Sequence, residues 1–168
     1  LQGPKKGIVT FPSHIVEEAL QKVPDKFIYG ARKPSYDLVM DGTRPYTHSL
    51  GGNSSIVDLD SGEVRPSTMR DVQETARLMD GLENLNSVAD FVWAMDAPSE
   101  MVVLRTIHGI MTNTEKFVWG FALRKEEVDY LVRMWECIAG GTEELRKRPL
   151  FSIYVSPTSP LTYAKDVC

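Results

Sequence analysis

Between two prolines, the run Ser156-Pro157-Thr158-Ser159-Pro160 presents hydroxyl groups on a stiffened stretch of backbone. Proline restrains φ, so such a loop loses less entropy when it holds a ligand. A rigid connector is the plainer alternative. The other polar residues form no familiar constellation. The chain has no P-loop, no G-x-G-x-x-G, no H-E-x-x-H and no nucleophile elbow. His14, His48 and His108 lack metal-ligand spacing. His14 and His108 fall in helical stretches and read as surface or internally satisfied side chains. His48 sits in a loop just before Gly51-Gly52-Asn53 and reads as part of a flexible turn. Asp58, Asp60 and Glu63 lack the full ligand set of a calcium loop, so they read as a polar hairpin turn. Asp96 and Glu100 flank a helix start, where a carboxylate complements the dipole.

Charge narrows the function classes. The net charge is −4 and the pI near 5.4, which argues against a phosphate-binding face, so no nucleic-acid partner is expected. The one basic cluster, Arg146-Lys147-Arg148, reads as the solvated end of a helix. No apolar run reaches the roughly 18 residues of a membrane helix, and no secretory leader is visible. The two cysteines, Cys137 and Cys168, form no C-x-x-C, and a reducing cytoplasm fits. Cys137 lies within an apolar helical pattern and reads as a small core residue. The chain does not begin with Met, so an upstream piece is expected.

Two regions must position these residues. Residues 1–67 read as a preamble of one helix and small antiparallel hairpins. The helix spans Phe11 to Pro24, with Ser13 as its cap. One hairpin is expected to pair Tyr36–Met40 with Thr43 onward across Asp41-Gly42, and another to pair Ser55–Leu59 with Val64 across Asp60-Ser61-Gly62. From residue 68 the pattern changes to alternating helices and strands. Thr68 and Asp71 form a capping box that opens a helix. Strands follow within Ser87–Trp93 and at Phe117–Phe121 and Phe151–Val155, with helices over about Ser99–Met111 and around Leu131 and Trp135. Gly140-Gly141 ends the second of these, and Thr142 starts a short third helix that Pro149 closes.

Repeated strand–helix–strand units imply a parallel α/β sheet with right-handed crossovers. A closed (β/α)8 barrel takes about 250 residues, so residues 68–168 supply about three of its eight units. Either further residues after Cys168, the favoured reading, or something outside this chain is expected to cover the open sheet edges. In such a fold, chemistry belongs in loops at the C-terminal strand ends. Here those begin at Trp93–Ala97, Gly120–Ala122 and Ser156–Leu161.

Several stretches resemble one family. They are Phe11–Leu20, Tyr36-Asp37-Leu38-Val39, Val57–Thr68, Asn113-Thr114-Glu115-Lys116, Ala139-Gly140-Gly141 with Arg148-Pro149, and above all Tyr154–Leu161. In this order and spacing, across nearly the whole chain, they are similar to the trimethylamine:corrinoid methyltransferases, which include glycine betaine-type relatives.

The resemblance implies a (β/α)8 barrel that moves a methyl group from a tertiary or quaternary methylamine to the Co(I) centre of a corrinoid. The corrinoid (cobalamin) would be carried by a separate partner protein, not by this chain. Trimethylamine members carry pyrrolysine, at a position beyond Cys168, and no catalytic residue can be carried over onto this sequence. Aromatic faces suit a quaternary ammonium, so Trp93, Phe121 and Tyr154 become candidate substrate-binding residues, with barrel core as the alternative. Thr158, Ser159 and nearby backbone N–H groups become candidates for a substrate carboxylate, with Ser156 a further substrate-binding candidate. A homo-oligomer is plausible. The competing readings are a non-catalytic domain derived from this family and another barrel enzyme, such as a lyase.

Overall fold

The computed structural model describes residues 2–5 and 8–154, with side chains from residue 10 onward. The preamble begins with an antiparallel pair, β1 (Gln2–Lys5) and β2 (Ile8–Thr10). Helix α1 (Ser13–Gln21) follows. Ser13 is not its cap: Pro12 occupies that position and no side chain caps the helix. Proline restrains φ ahead of the first turn, which starts the helix without a hydroxyl acceptor. The apolar face of α1 stays exposed at Val16 and Leu20.

The first hairpin differs from its expected pairing. Strand β4 (Leu38–Met40) runs antiparallel to β3 (Phe27–Tyr29), which precedes it, and not to the residues after Gly42. After β4 the Asp41 carboxylate accepts hydrogen bonds from the Thr43 amide and hydroxyl, and Gly42 takes φ 75°. The turn leads into Arg44-Pro45, where proline has no N–H for a ladder. The β3–β4 connection is held by the Asp37 carboxylate, which accepts from the Ala31 amide at 2.8 Å and pairs with Arg148. The second hairpin forms as expected: β5 (Ser55–Val57) pairs with β6 (Val64–Pro66) through a turn at Gly62, φ 74°.

Helix α2 (Met69–Gly81) opens on the predicted capping box. The Asp71 carboxylate accepts from the Thr68 amide at 2.7 Å and from both Arg65 guanidinium nitrogens at 2.7 and 2.8 Å. The Arg65 guanidinium, followed by the Thr68 donors, holds the Asp71 carboxyl well below the usual carboxylate range. At the other end, buried Lys116 donates to the Met79 and Leu82 carbonyls, two of the acceptors a helix C-terminus leaves open. Burial lowers its pKa.

The parallel sheet has the order β7 (Ser87–Val88), β8 (Phe117–Phe121), β9 (Phe151–Tyr154). Between these strands lie α3 (Val102–Met111), α4 (Lys125–Ala139) and α5 (Thr142–Lys147). This is an α/β arrangement. The core fills the space between sheet and helices with Val72, Val88, Val103, Ile107, Val118, Leu131 and Trp135. Gly140 ends α4 at φ 89°, the left-handed conformation expected there. Cys137 is exposed, contrary to its reading as core. The buried row of α4 is Glu127, Leu131 and Trp135, and Cys137 lies two residues further on, about 200° around the helix.

The first strand of the sheet lies within the expected stretch and takes only its first two residues. After Val88 the Phe91 amide bonds back to the Ala89 carbonyl at 2.9 Å, and regular pairing with β8 ends. The chain there is supported from its other side. Residues 47–53 run parallel to it, with bridges His48 to Ser87 and Asn53 to Val92. His48 therefore lies in an extended edge segment, not in a flexible turn. This segment precedes residue 67 yet hydrogen-bonds to the parallel unit beyond it.

Candidate functional site

The two ends of the parallel sheet are unlike. At the N-terminal end, Tyr29 of β3 packs on Phe117, the first residue of β8, with ring centroids 4.5 Å apart. Its ring also meets Trp119 edge-on at 5.2 Å. Arg148 and the Gly30 amide tie the same hairpin to the approach to β9. That end is closed. Towards the C-terminal ends, an open cavity of about 410 Å³ is lined by His48, Ser49, Leu50, Gly51, Ala89, Trp119 and Tyr154. Parallel α/β sheets bind ligands outside the carboxyl ends of their strands.

Strand alternation explains the lining. Ser87 and Trp119 face the same side, and the Trp119 indole N–H donates to the Ser87 hydroxyl at 3.1 Å. Val88 and Val118, one residue along each strand, join the helix-facing core. At the sheet's far edge, Phe151 stacks on Trp135 of α4, so Tyr154, three residues on, faces away from the helices.

Three aromatic residues converge beside the cavity. Trp93 stacks on Phe121 with centroids 4.9 Å apart and planes at 16°. Phe121 meets Tyr154 at 6.4 Å. The Trp93 backbone is fixed on two sides: its amide donates to the Asn53 carbonyl at 3.0 Å, and its carbonyl accepts from the buried Ser67 hydroxyl at 2.7 Å. The ring pairing thus depends on two contacts with residues that precede α2.

Asp90 joins the two polar rings. Its Oδ2 accepts from the Trp93 indole N–H at 2.7 Å and its Oδ1 from the Tyr154 hydroxyl at 2.8 Å. The side chain is fully buried. Burial raises its pKa above the ordinary carboxylate value, and the two donors offset this only in part. Among the described residues, no cationic group contributes to that balance. The Tyr154 phenol is also pushed up, by burial and by the carboxylate beside it. The segment 47–53 holds Asp90 from behind. The Gly52 amide donates to the Asp90 carbonyl at 2.7 Å, and a Cβ on Gly51 would lie 1.9 Å from that oxygen. Only glycine allows this approach.

The structure thus brings together Trp93, Phe121 and Tyr154, the three aromatic candidates. Ser156, Thr158 and Ser159 lie outside the described residues. Sequence reasoning missed Asp90, along with Ser49 and Gly51. The available signal was an acid inside the apolar run Val88-Ala89-Asp90-Phe91-Val92-Trp93, where an unpaired carboxylate is out of place. Asp96 has a structural role, but not at the helix start it flanks in sequence: its carboxylate accepts from the Met69 amide at 2.8 Å, at the start of α2 and not of α3. His14 and His108 are exposed, and among the described residues no group of His, Cys, Asp or Glu is arranged to hold a metal ion.

Comparison with known proteins gives the family. The family model described as trimethylamine methyltransferase matches residues 5–168. The chain belongs to the trimethylamine methyltransferase family. It is 32% identical to the trimethylamine methyltransferase MttB of Desulfitobacterium hafniense, over 94% of this chain and 32% of that protein. It is 29% identical to MttB of Methanosarcina thermophila, over 96% of this chain and 34% of the relative. The MttB of Methanosarcina barkeri is 28% identical over 98% of this chain and 34% of its own length. The chain therefore spans about a third of the length of these trimethylamine methyltransferases. No described helix is long and apolar enough to cross a membrane.

Proposed function

We propose that this protein takes part in moving a methyl group from a tertiary or quaternary methylamine, such as trimethylamine or a glycine betaine-like compound, to a corrinoid. The observation that carries this reading is the convergence of Trp93, Phe121 and Tyr154 beside an open cavity, in a chain of the trimethylamine methyltransferase family. Aromatic faces attract an alkylammonium ion by about 0.5–2 kcal/mol per ring, most strongly where water is excluded. We further propose that the parallel units belong to a (β/α)8 barrel in the cytoplasm, whose C-terminal mouth receives a separate corrinoid protein. The chain's own assembly into a homo-oligomer is part of the same reading.

The corrinoid, when docked, supplies a Co(I) nucleophile that accepts the methyl. From a quaternary or protonated tertiary ammonium, the C–N electron pair would stay on nitrogen, which leaves as the neutral demethylated amine. This chain's residues would bind the cation, aim one methyl outward and exclude water. Tyr154 would form one wall, and Trp93, backed by the buried Phe121 ring, would meet the cation beside it. Ser156, Thr158 and Ser159 are proposed to serve a substrate carboxylate. The test is demethylation by the natural polypeptide with reduced corrinoid protein, across trimethylamine, glycine betaine and choline. Corrinoid-dependent loss of one methyl from at least one of them is expected, and turnover of none overturns the reading.

A further inference from the structure

We infer that Asp90 sets the charge selectivity of this cavity, making it a proton-linked site for an alkylammonium cation. The inference rests on the binding reading above. Asp90 is the shared acceptor of the only two ring donors in the aromatic group, the Trp93 indole N–H and the Tyr154 hydroxyl. One carboxylate therefore fixes the orientation of both rings. It also polarises them, because a donor bonded to an anion pushes electron density back into its ring. A ring face made more negative binds a cation better and a neutral group of the same shape no better.

The carboxylate is fully buried and, among the described residues, has neutral donors and no ion-pair partner. A buried charge in that state favours either a proton or a nearby cation. Of the groups around the cavity, Tyr154 on β9 and His48 on the edge segment are ionisable residue types, while β8 presents Trp119 and Phe121, which are not. Burial raises the carboxyl pKa in the empty site, and a bound cation would bring it down again. Cation affinity thus rises with pH through the Asp90 pKa and levels off above it. Below that pKa, binding releases a proton.

The probe is choline against its neutral carbon isostere, 3,3-dimethylbutan-1-ol, with affinity read from indole fluorescence or calorimetry on the natural polypeptide. Asp90→Asn keeps the shape. Its oxygen can accept from Trp93, and its amide can donate to the Tyr154 oxygen. The charge is lost. Asp90→Asn should weaken choline about tenfold or more, as for a lost charge-assisted contact, and shift the isostere within about twofold. The pH dependence due to Asp90 should vanish, while any contribution of His48 remains in both proteins. An equal loss for both ligands means that Asp90 only orients the rings, and overturns the inference. A choline preference undiminished in Asp90→Asn overturns it too, leaving the proposed function standing. Wild-type protein with no preference for choline over the isostere overturns the inference, whereas only turnover of none of the three amines overturns the proposed function. Should Asp90→Asn fail to fold, Tyr154→Phe serves. It removes one donor and keeps the charge, so the pH midpoint of choline binding should move upward, and an unmoved midpoint refutes the linkage.

Discussion

The Tyr154 hydroxyl donates a 2.8 Å hydrogen bond to Asp90, a residue 64 positions earlier in the chain. The bond runs from the last residue of β9 to the residue that follows β7 by two, with β8 between the two strands. It ties the cavity wall to a buried carboxylate.

Tyr154→Phe should therefore destabilise the protein at neutral pH. Asp90 would keep one side-chain donor of two, at a cost of about 1–2 kcal/mol. The sign of the pH effect is set by a raised pKa. An acid whose folded pKa lies above its unfolded value of about 3.9 prefers the proton when folded, so its contribution to stability worsens as pH rises through that window. The variant's deficit should be smaller at pH 4 than at pH 7, measured by denaturant melts.

Gly51→Ala should disturb both fold and site. Its methyl would fall 1.9 Å from the Asp90 carbonyl oxygen, so the edge segment or the Asp90 backbone must move. A loss of about 2 kcal/mol or more is expected from such overpacking. Choline affinity should fall with it, and Gly81→Ala, where a Cβ meets nothing within 4 Å, is the control.

Asp71→Asn should destabilise by about 1–3 kcal/mol at pH 7, because it leaves a half-exposed Arg65 unpaired and weakens the α2 cap. Here the folded pKa is depressed, so the stabilisation is full above the unfolded value and is lost as pH falls below about 4. Wild type and variant should converge in thermal stability as the solution is acidified through that range.

Ile107→Ala should cost about 2–5 kcal/mol, as for other fully buried aliphatic residues. Ile107 fills the space that Gly120 leaves open on β8, where a Cβ would come within 3.1 Å of its Cδ1. Chemical denaturation of the purified protein checks this. A loss under about 1 kcal/mol would mean that the pocket collapses on deletion.

Local chemistry makes much of this chain legible in its residues alone. The Thr68–Asp71 capping box, the Asp60-Ser61-Gly62 turn and the Gly140 stop each depend on a few neighbouring residues, and each is present. Hydrophobic periodicity is equally local, which is why the helices and parallel strands of the second region stand close to their expected places. Pairing across distance is not readable in this way. Nothing near Leu38 distinguishes a partner at Phe27 from one after Thr43, and the choice depends on Asp37 meeting Arg148.

The candidate site divides along the same line. Trp93, Phe121 and Tyr154 are visible as aromatics near strand ends, because strand position and residue type are sequence properties. Their convergence requires the parallel order β7-β8-β9, which sets them side by side. Asp90 is decided by tertiary structure alone. Whether an acid in an apolar run is exposed, paired or buried depends on the strands that close over it, and here two rings and a glycine-lined edge do so. Sequence carries the identity of each donor and acceptor, but only the fold brings them within hydrogen-bonding distance.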